Sequence, residues 1–180
     1  MRVLVVYGSK RGGTAELAGM VGAAFADEGW SVEVHPASDV SGLGGFDAVV
    51  VGGALYANRW HRDARRFVKQ HAALLREMPT WLFSSGPLGD SAQRAEIAAV
   101  PQVNRLAADI RANGHITFGG RLVPDGDGFV ARLMAKKMSG DWRDPEQVRE
   151  WVHRICTHDL VTENAARNSC RNGKELLTRR

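Results

Sequence analysis

The segment Val3-Leu4-Val5-Val6-Tyr7-Gly8-Ser9-Lys10-Arg11-Gly12-Gly13-Thr14 constrains this chain more than any other. Its continuous apolar run reads as a strand buried on both faces, and it breaks into a loop of hydroxyl, glycine and cationic residues. From Ala15 to Glu28, Leu17, Met20, Val21, Ala24 and Phe25 recur at the helical period, and Gly29 supplies a C-terminal stop. The order strand, loop, helix directs the first-turn N–H groups and the positive end of the helix dipole into the loop. Gly12 and Gly13 permit close backbone approach, Ser9 and Thr14 offer hydroxyls, and Lys10 and Arg11 add positive charge. The loop is a phosphate cradle.

Spacing separates three kinds of phosphate loop. Gly8 to Gly13 has the glycine spacing of a nucleoside-triphosphate loop, but Thr14 and Ala15 stand where Lys-Ser/Thr is needed. The dinucleotide pattern G-x-G-x-x-G fails as well, because Lys10 occupies the second glycine position. What remains is [ST]-x-x-G-x-T after a strand, written here Ser9 to Thr14. It resembles the flavodoxin loop that wraps the monophosphate of FMN.

Two more loops follow strands in the same way. Ser31 to His35 alternates as a second strand, and Phe46 to Val51 is a third, apolar enough for a sheet covered on both faces. It runs into the glycine-containing loop Gly52 to Asn58, at the strand edge where open α/β sheets bind ligands. Trp60 to Met78 reads as one helix, with Ala64, Phe67, Val68, His71, Leu74, Leu75 and Met78 inward and Arg62, Arg66, Lys69 and Arg76 outward. Thr80 to Ser85 is the fourth strand, followed by turn residues Gly86 to Asp90.

Ala92 to Ala112 reads as helix interrupted at Pro101 and ended by Asn113-Gly114, and His115 to Phe118 is the fifth strand. The connection Gly119 to Arg143 is long and carries an amphipathic basic pattern from Phe129 to Met138, suited to core packing or a membrane surface. Asp144-Pro145-Glu146-Gln147 opens the last helix as N-cap, N1 proline and capping box, with Val148, Trp151, Val152 and Ile155 inward. Residues 1–156 make one domain; 157–180 read as a flexible tail or sequence extraneous to the fold. Five strands alternating with helices imply an α/β doubly wound parallel sheet, order 2-1-3-4-5, in three α/β/α layers.

Composition excludes several classes. No apolar run approaches the length of a membrane span and the N-terminal segment has no signal-peptide pattern, so a cytoplasmic protein is expected. Cys156 and Cys170 form no C-x-x-C pair, and His35, His61, His71, His115, His153 and His158 show no metal-ligand spacing. There is no G-x-S-x-G nucleophile elbow and no nucleic-acid module. The net charge is +4, and half of it lies in residues 157–180. The rest is concentrated in Arg59 to Arg76, where Arg59, Arg62, Arg65, Arg66, Lys69 and Arg76 oppose Asp63 and Glu77 lies just beyond.

Beyond the flavodoxin fold, several stretches resemble the menaquinone-dependent protoporphyrinogen dehydrogenases and their flavodoxin-domain relatives. They are Ser9 to Thr14 with Glu16 and Ala18, Arg59-Trp60-His61 leading into Phe67 to His71, Met78-Pro79, and Gly119-Gly120-Arg121 followed by Phe129 to Gly140. The resemblance implies FMN bound without a covalent link. Its phosphate would lie on Ser9, Lys10, Arg11, Gly12, Gly13 and Thr14, and its ring between Ala54, Leu55, Tyr56 and Ser85, Gly86, Pro87, Leu88, Gly89. Tyr56 is the candidate stacking ring, with Trp60 as the alternative.

The resemblance further implies a porphyrinogen substrate, a quinone acceptor and contact with the membrane surface, the flavin carrying the redox chemistry. Arg59 and Arg62 are candidates to hold substrate carboxylates. Two other functions fit the same residues: an electron-transfer module without a small substrate, and an oxidoreductase whose cofactor is an acidic deazaflavin.

Overall fold

The computed structural model describes residues 1–10, 12–86, 97–122 and 140–159. Strands β1 (Arg2–Gly8), β2 (Ser31–Pro36), β3 (Ala48–Tyr56), β5 (Thr80–Ser85) and β6 (Gly114–Phe118) form a parallel sheet in the order β2-β1-β3-β5-β6. A short β4 (Arg59–Trp60) pairs antiparallel with β3, so the expected order 2-1-3-4-5 holds for the five parallel strands. The register places Val3 beside both Val32 and Ala48, and Val50 beside Trp81.

Strand periodicity divides the core. Val3, Val5, Val50, Trp81, Phe83 and Phe118 face α1 (Gly13–Asp27) and the last helix, α5 (Pro145–Arg154). Leu4, Val6, Val49, Val51 and Leu82 face the other way, onto α2 (Arg62–Gln70), α3 (Ala72–Leu75) and α4 (Pro101–Ile110). The result is a three-layer α/β/α protein with one apolar core on each side of the sheet. Among the described residues, no helix is long and apolar enough to cross a membrane.

Four local expectations are corrected. First, β3 does not end at Val51 but continues through Gly52 and Gly53 to Tyr56. The end of the Phe83 ring fills the place where Gly52 would carry a Cβ, and the Trp60 indole does the same for Gly53, at 2.6 Å. The paired glycines thus seat aromatic rings on a strand interior instead of opening a loop.

Second, Trp60 lies in β4 and the expected long helix divides at His71; Leu74, expected inward, is 54% exposed. Arg62, Arg66, Lys69 and Arg76 do face outward. Third, Pro101 starts α4 at its N1 position, where proline's missing N–H is harmless. That helix ends at Arg111, which takes the left-handed conformation (φ 55°), and Gly114 already belongs to β6.

Fourth, the connection after β6 contains a two-stranded ladder, β7 (Arg121–Leu122) with β8 (Gly140–Asp141). The expected Phe129 to Met138 helix lies outside the described residues, as do the first part of Ala92 to Ala112 and the tail from 160. The N-cap and N1 proline of α5 are as expected: Asp144 Oδ1 accepts from the N–H groups of Glu146 (2.9 Å) and Gln147 (3.4 Å), but Gln147 Oε1 does not accept from Asp144 N–H, so the expected capping box is not closed. Val148, Trp151, Val152 and Ile155 are all buried. The chain continues from this helix into a π-helical turn, Ile155–Asp159.

Candidate functional site

The chain passes from β1 outward to β2 and then returns to β3 on the other side of β1. This reversal opens a crevice at the carboxyl ends of the strands, the place where such sheets bind ligands. A cleft of about 440 Å³ lies there. One end is formed by Ser9, Gly13 and Thr14, the walls by Ala54, Leu55, Ser85 and Gly86, and the rim by Tyr56, Ala57 and Asn58.

Each part follows from local structure. Gly12 is the N-cap of α1 at φ 79°, a left-handed conformation suited to glycine. Among the described residues no side chain caps this helix, whereas Asp144 caps α5 and His61 Nδ1 accepts from Asp63 N–H at the start of α2. The first-turn amides of α1 therefore remain open to an anion, beside the buried Thr14.

On the second wall, Ala57 (φ 47°) and Asn58 (φ 59°) form a two-residue turn that folds β4 back along β3. Trp60 is 2% exposed, and its Nε1–H donates to Ser84 Oγ at 2.9 Å. It is a structural wedge, while Tyr56 is 41% exposed on the rim. Of the two aromatic candidates, only Tyr56 lines the cleft. The third wall is held by Gly86 N–H donating to Phe118 C=O at 3.1 Å, which ties β5 to β6.

Ser9, Gly13, Thr14, Ala54, Leu55, Tyr56, Ser85 and Gly86, expected from sequence, are thus brought together. Gly12 caps the adjoining helix, and Lys10 is exposed without lining the cleft. Arg11, Pro87, Leu88 and Gly89 lie outside the described residues. Arg59 and Arg62 do not line the cleft; both are exposed, and Arg59 stands across the ladder from Tyr56. Arg66 borders a separate polar hollow with Ser38, Ser41 and His71.

Sequence reasoning missed Ala57, Asn58, Ile97, Ala98, Val100, Gly120 and Arg121. A signal existed for the last two: Gly119-Gly120-Arg121 follows the carboxyl end of a strand just as the three recognised loops do. Arg121 is not isolated. Its Nη1 donates to both oxygens of Glu16, and Arg143 Nη1 reaches the same carboxylate at 2.9 Å. Arg143, with a side chain 4% exposed, also pairs with Asp141 and reaches Gly13 C=O at 3.4 Å. Its guanidinium, with help from Arg121, holds the Glu16 carboxyl below the ordinary range, and it does the same to Asp141.

Beneath the second and third walls, Ser84 Oγ is also 2.9 Å from His115 Nε2. Burial pushes the His115 imidazole down to about 4, so it is neutral at pH 7. The described residues contain no cluster of His, Cys, Asp and Glu able to hold a metal ion.

Comparison with known proteins agrees with this geometry. A family model described as a flavodoxin domain matches residues 4–147. Among curated proteins, no sequence matches. Among solved structures, flavodoxin 1 of Bacillus cereus superposes with a TM-score of 0.59 at 15% identity, covering 88% of this chain and 99% of that one. A flavodoxin of Streptococcus pneumoniae TIGR4 gives 0.58 at 18% identity, covering 86% and 97%. The larger rubredoxin oxygen:oxidoreductase of Desulfovibrio gigas gives 0.52 at 15% identity, covering 87% of this chain but 37% of that one. The open first turn of α1, the cleft at the β1/β3 reversal and the match over residues 4–147 converge on one assignment: the chain belongs to the flavodoxin-domain family.

Proposed function

We propose that the protein binds FMN in the cleft at the β1/β3 reversal and acts as a flavin-dependent redox protein. The observation that carries this reading is the pairing, in one cleft, of an anion-accepting helix start with apolar walls and an exposed aromatic rim. The residues present fit the group. The Gly12 N-cap, the open amides that follow it and the hydroxyls of Ser9 and Thr14 suit a phosphate, and the cleft volume suits a flavin-sized ligand.

Bound flavin supplies hydride and electron transfer. The chain's own residues orient and shield it. Ser9 and Thr14 fix the phosphate end, Ala54, Leu55 and Gly86 exclude water from the walls, and Tyr56 covers the rim. His115, kept neutral by burial, places no cation beneath the walls.

The test is the absorbance spectrum of the purified protein before and after addition of FMN, with any released chromophore identified by mass. Stoichiometric FMN supports the reading. A deazaflavin in its place would redirect it, and failure to bind either would overturn it.

A second, finer reading makes the protein an enzyme of the protoporphyrinogen-dehydrogenase type, passing reducing equivalents from a porphyrinogen to a quinone at a membrane surface. Arg59 favours it: an exposed guanidinium on the strand facing Tyr56, close to Arg62, suits a substrate carboxylate. Porphyrinogen-dependent quinone reduction that falls when Arg59 and Arg62 become glutamine would support it. Reduction of acidic electron-transfer proteins without any porphyrinogen turnover would favour an electron-transfer module.

A further inference from the structure

We propose that Arg121 is the cationic arm of the phosphate end of the cleft and sets its preference for a phosphorylated flavin over an unphosphorylated one. The inference rests on the FMN reading and deepens it. Arg121 lines the cleft with Ser9, Gly13 and Thr14. Its Cβ and carbonyl oxygen lie 3.6 Å from where Gly13 would carry a Cβ, so its backbone packs directly on the first residue of α1. Of the two cations expected there from sequence, Lys10 is exposed and does not line the cleft, and Arg11 lies outside the described residues. Arg121 is instead delivered from 105 residues beyond Glu16, by the β7–β8 ladder.

Its surroundings suit that task. Glu16, in the first turn of α1, would repel a phosphate if it stood alone. Arg121 and Arg143 both bind its carboxylate, and Arg143 is fixed in turn by Asp141 and Gly13 C=O. The contacts between Arg121 and Glu16 fall on one nitrogen, Nη1, and a planar guanidinium carries donors on its other nitrogens for a second anion. Glu16 thus orients the arginine, and the phosphate receives a charge-assisted partner in addition to neutral amides and hydroxyls.

The experiment measures the affinity of the flavin-free full chain for FMN and for riboflavin, which lacks the phosphate, by flavin fluorescence. Arg121→Met should weaken FMN by about 10- to 100-fold, the size of one charge-assisted contact, and riboflavin by less than about threefold. Arg121→Lys should recover part of the difference, and Lys10→Met should leave both affinities within about threefold. Circular dichroism of each variant establishes that it is folded.

Equal losses for the two flavins, no loss for either, or a larger FMN loss from Lys10→Met than from the Arg121 variants would overturn the assignment of Arg121 while leaving FMN binding intact. A wild-type chain that binds neither flavin would overturn both.

Discussion

The end of the Phe83 ring occupies the place where Gly52 would carry a Cβ, across the β3–β5 pair in which the two residues are register partners. Phe83 is fully buried and meets Phe118 and Trp151 edge-on, so it has no free direction in which to yield. Gly52→Ala should destabilise the protein by roughly 1–3 kcal/mol, the range for an overpacked core. Phe83→Leu in the same chain should recover part of that loss. Urea unfolding checks both, and an unchanged midpoint for Gly52→Ala would refute the close fit.

Arg143→Met should cost about 1–2 kcal/mol, since it removes charged hydrogen bonds from Glu16 and Asp141, both partly hydrated. The two carboxyls lie below their ordinary range, so the stability they contribute is present above their unfolded pKa values and fades as the pH falls through the folded ones. The difference between wild type and variant should therefore shrink in strong acid. A gap that widens there would contradict the ion-pair account.

His115 places a second acid-sensitive limb at higher pH. Its folded value of about 4 lies under the ordinary histidine value of 6.5, so from pH 6.5 downward the unfolded chain takes up a proton that the folded chain refuses. Stability should be full above pH 6.5 and fall as the pH drops toward 4, by at most about 3 kcal/mol from this group. His115→Gln should flatten that slope. Denaturation midpoints measured for both proteins across this window give the answer, and identical slopes would exclude His115 as the source.

Cys156 is held in the opposite sense. Burial, with Glu28 nearby, pushes its thiol up to about 12, so almost no thiolate exists at pH 8. In a Cys170→Ser chain the native protein should react slowly with a thiol reagent and rapidly once unfolded. Fast labelling under native conditions would mean that the end of the last helix opens readily.

The sheet was legible because its central strands carry continuous apolar runs, as in Val3 to Val6, Val49 to Val51 and Trp81 to Phe83, and because β1 and β5 end where the composition turns to glycine and polar residues. The start of α1 was legible because Gly12 and Gly13 follow the apolar run of β1 and Leu17, Val21 and Phe25 then keep the helical period. The paired glycines Gly52 and Gly53 were misread for a tertiary reason: the rings that replace their side chains come from Phe83 and Trp60, which no local pattern connects to them. The same applies to Trp60, whose apolar character fits a helix start equally well until β4 pairs with β3. Leu74 obeys the helical period, but the break at His71 turns it outward. Arg121 could not be joined to Glu16 from sequence, because an ion pair across 105 residues leaves no periodic trace.

The ladder of Arg121–Leu122 with Gly140–Asp141 brings the two ends of segment 123–139 together, Leu122 opposite Gly140. Such a stem also brings Arg121 and Arg143 to a single carboxylate, that of Glu16. Glu16 thus acts as a checkpoint on strand register: a one-residue slip of the ladder would carry Arg121 or Arg143 away from it.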